Sequence, residues 1–524
     1  MDRHILGAGD DLESSRVMIV QSVEALDTTE IVTEICIIGG GAAGITLAQS
    51  FFGTKTKVVL IEGGGTEFDY DSQELYEGES VGAEYFGLTE TRLRFLGGTT
   101  NHWGGTCARF PPGEFAGRSW VADSTWPITY DAVAAYYPQA HEICDLRTDD
   151  YDLELLEDLL AGERLPLDGS NIESFVKRYS PPTRFGEKYL AALDESENVT
   201  VLLNSTVTQI VPNAAASHIE KVECLSMDRK PLNVVARQFV VACGGMENPR
   251  LLLLSNRVEQ HGLGNRHDVV GRYFMDHTHR SLGQIVPSDS RRDVTLYDGD
   301  RWRRRKGIEA VAMLSPTWSF QQENRTMGAS IELSPVYSDE VAGLLGAGKE
   351  SLDTLGQYLR NKNILSLSSY RDWLGFDMDL SHFEVNAECE QAPNRDSRIL
   401  LSDQRDKFGQ PMLKLDWKVD DFDTRSIELT AWALAEAVGA SAVGRMKVDV
   451  EIDSWPAGHH HMGSTRMSDD PVKGVVDGDS RVHGIDNLYV AGSSVFTTGG
   501  PVNPTLTIVA LSLRLADKLK ETVE

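Results

Sequence analysis

The sequence predicts an α/β protein: a Rossmann-like nucleotide-binding domain assembled from separated segments, interrupted by a second domain built on an antiparallel sheet. Three observations predict it. An apolar, β-branched run, EICII, leads through glycines into an Ala/Leu-rich helical pattern and then into a second apolar strand, KVVLI; together they make a β-α-β unit. From about residue 280 to 454 the character changes to strands of alternating polarity, such as MLKLDWKV, separated by long charged helical stretches. After residue 455 the glycine-rich style returns, with the strand NLYVAGSS and a final helix, PTLTIVALSLRLADKLKE.

The pattern divides the chain into a polar, acidic and loosely docked arm over residues 1–30, a nucleotide-binding domain over 31–280 and 455–524, and a substrate domain over 281–454. A loop-rich insertion over 90–195 interrupts the nucleotide-binding domain. The runs NVTVLLNSTVTQIV and RQFVVACGGMENPRLLLLS read as strands, the second leading into a helix. At 524 residues the chain exceeds one ordinary folding unit.

A formal charge of −29 excludes nucleic acid and anionic membranes as natural partners. The six cysteines are scattered and form no CxxC pair, which argues against a disulfide framework or a thiolate metal site and fits a cytoplasmic protein. No stretch approaches the roughly 20 apolar residues of a membrane span. The start shows no signal peptide, so export is expected only as a passenger on a partner subunit.

Gly39-x-Gly41-x-x-Gly44 falls between strand and helix. The first glycine allows the tight turn, the second lets the backbone approach a pyrophosphate, and the third lets helix pack on strand. The helix N-terminus offers free amides and a positive dipole end. Glu62 ends the next strand, where a carboxylate can accept both ribose hydroxyls of an adenosine half. That favours an unphosphorylated ribose, hence FAD or NAD. A sole NAD site would leave LGGTTNHWGGTCARF and NLYVAGSSVFTTGGPVNPTLT without a task. In the latter, Asn503-Pro504-Thr505 precedes a helix; Asn503 suits an N-cap, a place in the site, or both.

Several motifs, in order, carry a resemblance: IIGGGAAG with IEGGG, LGGTTNHWGG, NSTVTQIV with VVACGGMENPRLLLL, VGRYFMDH, HHMGSTRM, and the NPTLT ending. From about residue 33 to 520 the chain resembles the glucose–methanol–choline (GMC) family of FAD-dependent oxidoreductases. The motifs stand closest to its pyranose oxidase and sugar dehydrogenase branch. The resemblance implies a p-hydroxybenzoate-hydroxylase-like architecture. Gly39, Gly41, Gly44 and Glu62 would hold the ADP half, and Val207 would meet the adenine through its backbone. Gly98, Thr99, Asn101 and His102 would line the cofactor, and Gly492, Asn503 and Thr505 would lie along the pyrophosphate and isoalloxazine. His102 stands where a histidine bonds covalently to the flavin, with a non-covalent contact as the alternative. Gly104 replaces the hydroxyl residue expected beside flavin N5, which puts oxygen reactivity in question.

The run AGHHHMGSTRM raises three options: a metal site, a basic patch or a single base. Neighbouring side chains of an extended segment point to opposite faces, so His459, His460 and His461 cannot all reach one ion, and no metal is expected. Imidazoles are mostly neutral near pH 7, which removes the basic patch. The family's base is the histidine two residues before a Gly-Thr/Ser turn, here His460, with Asn503 as its partner. Glu390, Gln391 and Asn394 stand where a pocket is in reach, though solvated strand edges or turns are the plainer reading.

The expected activity is oxidation of a secondary alcohol of a sugar or glycoside to a keto-sugar. Oxygen, a quinone or a protein would be the acceptor, and a small partner subunit or homo-oligomer is in keeping. Two rivals remain: a dehydrogenase subunit that hands electrons only to a partner, and a hydroxynitrile lyase-type enzyme with structural FAD.

Overall fold

The computed structural model describes residues 18–167, 169–299, 309–337, 380–450 and 457–523. Its central sheet has six strands, all parallel, in the order Ile19–Val20, Val199–Leu202, Val58–Ile61, Ile35–Ile38, Gln238–Val241 and Leu488–Val490. Ile35, Cys36 and Ile37 are wholly buried. A parallel sheet covered on both faces needs such continuous apolar strands, which is why these segments read as unbroken hydrophobic runs. The helices Ala42–Gln49 and Thr505–Val523 pack against each other beside it.

Residues 18–30, expected as a loose arm, are part of this architecture. Ile19–Val20 is a parallel edge strand of the central sheet, and Glu30–Val32 pairs with Pro231–Val235 in a second, four-stranded sheet. Ile19, Val20 and Val23 are buried, so their apolar side chains dock this stretch despite its acidic flank. The arm's first 17 residues lie outside the described residues.

A seven-stranded antiparallel sheet forms the other half. Its order is Gly444–Val448, Thr278–Pro287, Leu380–Cys389, Ala329–Tyr337, Ala310–Pro316, Ile172–Tyr179 and Thr106–Cys107. Two of these strands, Ile172–Tyr179 and Thr106–Cys107, come from the 90–195 segment, so the substrate sheet recruits chain from outside 281–454. Conversely, the strand around MLKLDWKV, Pro411–Trp417, leaves that sheet and pairs with Arg398–Arg405 and Gly78–Gly82.

The strand Leu380–Cys389 shows why one face of the large sheet is a site. Phe383, Val385, Ala387 and Cys389 are buried among apolar neighbours. Glu384, Asn386 and Glu388 alternate with them and face the other way. The helix Asp421–Ala440, opened by a capping box of Asp420 and Asp423, supplies Ile427, Ala431 and Leu434 to the apolar side.

All six cysteines are free, five of them buried. No helix of the described residues is long and apolar enough to cross a membrane.

Candidate active site

Two connected spaces define the site. A cleft of about 610 Å³ runs from Gly39–Ala43 and Glu62, past Val207 and the Gly98–Thr106 loop, to His459, His460, His461 and Asn503. An inner cavity of about 510 Å³ lies beyond, over the polar face of the seven-stranded sheet. Thr106, His279 and Asn503 border both.

At the outer end, the glycine loop is held by its lack of side chains. Gly39 has φ +107°, and a Cβ there would stand 2.5 Å from the Ala242 carbonyl oxygen. A Cβ on Gly44 would stand 1.8 Å from the Gly39 oxygen, so the helix rests directly on the turn. A Cβ on Gly41 would meet nothing within 4 Å: this residue faces the open cleft and is the N-cap of Ala42–Gln49, with no side chain on the helix amides. Glu62 is buried, and its two oxygens accept the Gly40 and Gly64 amides at 2.8 and 2.9 Å, which shapes the loop as well as lining the cleft.

In the middle, Gly98, Thr99 and His102 line the cleft, and His102 is exposed on its wall. Asn101 is different: it is absent from the lining, and its amide donates to the Leu96 carbonyl at 3.0 Å, closing the loop on itself. This contact within a Gly-rich turn holds the side chain locally. Gly104 lines the cleft with open space where its Cβ would be. Gly492 and Thr505 line the innermost part.

At the inner end the three histidines separate, although the backbone is not extended throughout. His459 has φ +60° and packs edge-on to Phe86. His461 stacks on Phe274, and its carbonyl accepts the Ser493 hydroxyl at 2.6 Å. His460 points into the site. Its amide donates to Asp276 Oδ1 at 2.8 Å, and Asp276 in turn accepts the Tyr85 hydroxyl.

The ring contacts fix a proton pattern. His277 Nε2 lies 2.7 Å from the Gly500 carbonyl, which can only accept, so that nitrogen carries a hydrogen. In neutral His277 the Nδ1 is then a lone pair. It lies 2.8 Å from His460 Nδ1, which must therefore be the donor. The lone pair of His460 is left on Nε2, 3.4 Å from Asn503 Nδ2 and at the meeting of the two spaces. Glu388 Oε1 sits 3.1 Å from His460 Nδ1 and 3.4 Å from His277 Nδ1, and steadies a proton on either.

Burial pushes His460 down to about 4, against the pull of Glu388. Burial also pushes His277 down, but its hydrogen bond to Glu388, the charges of Glu388 and Asp276 and its bond to the Gly500 carbonyl together outweigh this and hold it above the ordinary histidine range. Burial would raise Glu388; Lys177, His277 and His460 together keep it well below the usual carboxylate range. A further proton taken up by the histidine pair thus goes to His277 rather than His460.

Asn503 does not act as a helix cap here. Its oxygen accepts from Lys177 Nζ at 3.1 Å, and its amide donates to Glu388 Oε1 at 3.0 Å. His277, Glu388 and Lys177 are the members that sequence reading missed. His277 lies in the VGRYFMDH motif without an assigned task. Glu388 lies two residues before Glu390; the period-two alternation of HFEVNAEC puts it on the polar face of its strand, but that same period does not separate it from Glu390. Glu390 and Gln391 are buried structural groups. Glu390 pairs with Arg118 at 2.8 Å and accepts the Gly500 amide at 3.0 Å; Gln391 bonds Asp276 and Trp417. Asn394 caps a turn at Asp396. The donor atoms of His277, Glu388 and His460 lie within 4.8 Å of one another, near the span a metal ion needs. They bond one another, and Lys177 and Asn503 take the same carboxylate, so the cluster is a proton network.

Two models of the GMC oxidoreductase family match the chain, the N-terminal one over residues 184–279 and the C-terminal one over 393–512. The chain belongs to the GMC oxidoreductase family. Similar proteins include the fructose dehydrogenase large subunit of Gluconobacter japonicus, 25% identical over 82% of this chain and 80% of that one. Another is the 2-methyl-1,2-propanediol dehydrogenase of Mycolicibacterium austroafricanum, 23% identical over 93% and 94%. Among solved structures, pyridoxine 4-oxidase from Mesorbium loti has the same fold, with a TM-score of 0.58 at 15% identity over 93% of this chain and 99% of that one.

The family's cofactor is FAD, and the residues of this GMC oxidoreductase fit it. The bare amides at Gly41 and Ala42 suit a pyrophosphate. The Glu62 oxygens keep lone pairs for ribose hydroxyls, and the cleft continues past Val207 and Gly98 to the His460–Asn503 pair.

Proposed function

We propose that this GMC oxidoreductase uses FAD to oxidise a secondary hydroxyl of a sugar or glycoside to a ketone, with His460 as the base. The observation that carries the reading is the His460 Nε2 lone pair set 3.4 Å from the Asn503 amide, where the cofactor cleft opens onto a polar cavity. Bound FAD supplies the chemistry of accepting a hydride at flavin N5. The protein's part is to receive the hydroxyl group. The second Asn503 N–H holds the substrate oxygen, and His460 Nε2 accepts its proton. The resulting imidazolium is stabilised by Glu388 through Nδ1. Its charge near the cofactor site also favours an anionic reduced ring. Tyr179, Ser281, Ser330, Asn386 and Glu332 line the inner cavity, an acceptor- and donor-rich surface that suits a hydroxyl-rich ring.

The test is anaerobic mixing of the FAD-loaded protein with a panel of sugars, glycosides and simple alcohols, read by loss of the oxidised-flavin absorbance. Bleaching by sugars supports the reading. No bleaching by any hydroxyl compound would favour the lyase-type alternative, in which FAD is structural. Fast turnover with an artificial acceptor and slow turnover with oxygen would identify a dehydrogenase, the outcome that Gly104 favours because it puts no hydroxyl on the cleft wall.

A pH dependence follows from the proton network. Below the raised value of His277, its Nδ1 carries a hydrogen, His460 Nδ1 becomes the acceptor, and His460 Nε2 is protonated and cannot act. Above it, the Nε2 lone pair is restored. Flavin reduction is therefore expected to rise with pH through a midpoint above the ordinary histidine value of about 6.5. Stopped-flow reduction rates across pH 5–9 check this; a rate that falls across that range contradicts the tautomer assignment.

For the cofactor linkage, we propose a covalent bond to His102. Acid precipitation should then carry the yellow colour into the pellet, and His102→Ala should release it into the supernatant.

A further inference from the structure

We propose that Lys177 is a positioning residue of this site: its ammonium neutralises the buried Glu388 carboxylate and holds the Asn503 carboxamide by its oxygen, so that His460 meets the substrate uncharged. The inference rests on the oxidoreductase reading above. Lys177 projects from the strand Ile172–Tyr179 and is only 1% exposed. Its Nζ lies 2.8 Å from Glu388 Oε2 and 3.1 Å from Asn503 Oδ1.

The first consequence concerns charge. A buried carboxylate needs a compensating positive charge close by. Lys177 supplies it, with its Nζ 2.8 Å from the carboxylate. Without it, the nearest groups able to do so are His460 and His277, whose Nδ1 atoms lie 3.1 and 3.4 Å from Glu388 Oε1. A His460 held as imidazolium by that carboxylate has no lone pair for a hydroxyl proton. The other charged or titratable groups around His460 do not replace Lys177. Asp276, bonded to the His460 amide, is an acid. His279, 3.9 Å from Glu388 Oε1, is pushed down by burial, as are the flanking His459 and His461.

The second consequence concerns orientation. A carboxamide can be flipped end for end, and only its partners decide which end faces the site. Lysine can only donate and carboxylate can only accept, so Lys177 and Glu388 together fix the Asn503 oxygen outward and its NH₂ toward His460. Loss of Lys177 removes half of that instruction.

The test is a histidine titration of the FAD-loaded protein without substrate. Isotope-labelled histidine is followed by NMR, and the His460 signal is assigned by its loss in His460→Gln. In Lys177→Met the His460 midpoint should rise by at least one pH unit. Lys177→Arg, which keeps the charge, should titrate close to wild type. Lys177→Met/Glu388→Gln, which removes both charges, should bring the midpoint back down. An unchanged His460 midpoint in Lys177→Met overturns the proposal. Should that variant not fold, a midpoint in Lys177→Met/Glu388→Gln more than one unit above wild type overturns it equally. Absence of flavin reduction by any substrate in the wild-type protein would undo the oxidoreductase reading, while the titration would still judge Lys177.

Discussion

Replacing His460 by alanine is expected to slow reduction of bound FAD by about 10²- to 10⁴-fold, the usual worth of a positioned general base. The protein should still fold and still hold the flavin. His460 contributes its ring to the inner end of the cleft, whereas the glycine loop and Glu62 lie at the other end. Its backbone amide, which ties the loop to Asp276, is retained in the variant. His459→Ala and His461→Ala separate this from a general effect of removing a histidine. His459 packs on Phe86 and His461 on Phe274, and neither ring bonds Glu388 or Asn503. Their reduction rates should stay far closer to wild type. Stopped-flow reduction with saturating substrate, beside the flavin absorbance of each purified variant, measures both halves of the expectation.

A second large effect is expected at the glycine loop, where two substitutions of one methyl group should fail in different ways. Gly44→Ala places a Cβ 1.8 Å from the Gly39 carbonyl oxygen, a contact that only backbone movement relieves. Overpacking of this kind costs about 1–3 kcal/mol or more, and it displaces the helix whose N-terminus faces the cleft. The variant should melt several degrees lower and purify without FAD. Gly41→Ala meets no protein atom within 4 Å, so its melting temperature without cofactor should match that of the flavin-free wild type. Its methyl group enters the space where the pyrophosphate would approach the backbone, so FAD affinity should drop by at least tenfold. Thermal melts of flavin-free protein and FAD titrations distinguish the two. Equal affinity for FAD in Gly41→Ala would remove the phosphate role of this loop.

The parallel core was legible because its strands are buried on both faces. EICII, KVVLI and NLYV are continuous apolar runs, and no partner strand is needed to see them. Residues 18–30 were misread because Ile19 and Val20 form a two-residue strand, too short for any period to show within an acidic flank. The substrate sheet was half legible. Alternation in HFEVNAEC announces a strand with one polar face, but which polar residue reaches the histidine depends on neighbouring strands that sequence does not place.

Lys177 illustrates the limit. It lies 211 residues from Glu388 and on a strand not adjacent to it in the sheet, yet the two charges meet at 2.8 Å across that sheet's polar face. His460 could be singled out among three histidines from its offset to the Gly463-Ser464 turn, yet its tautomer depends on Gly500 and His277, which are distant in sequence. Asn101 shows the converse. Its place in a motif suggests a cofactor contact, whereas the fold turns its side chain to a local bond with Leu96, outside the lining of the cleft.

The roles of His460 and Asn503 are put to the sharpest test by a crystal structure of the enzyme with reduced FAD and an unreacted sugar bound. The expected result is one secondary hydroxyl oxygen within about 3 Å of both His460 Nε2 and Asn503 Nδ2, hydrogen-bond range for each. The carbon that bears it should face the flavin. A sugar bound with that hydroxyl turned away from both side chains, or held by His459 or His461 instead, would contradict it.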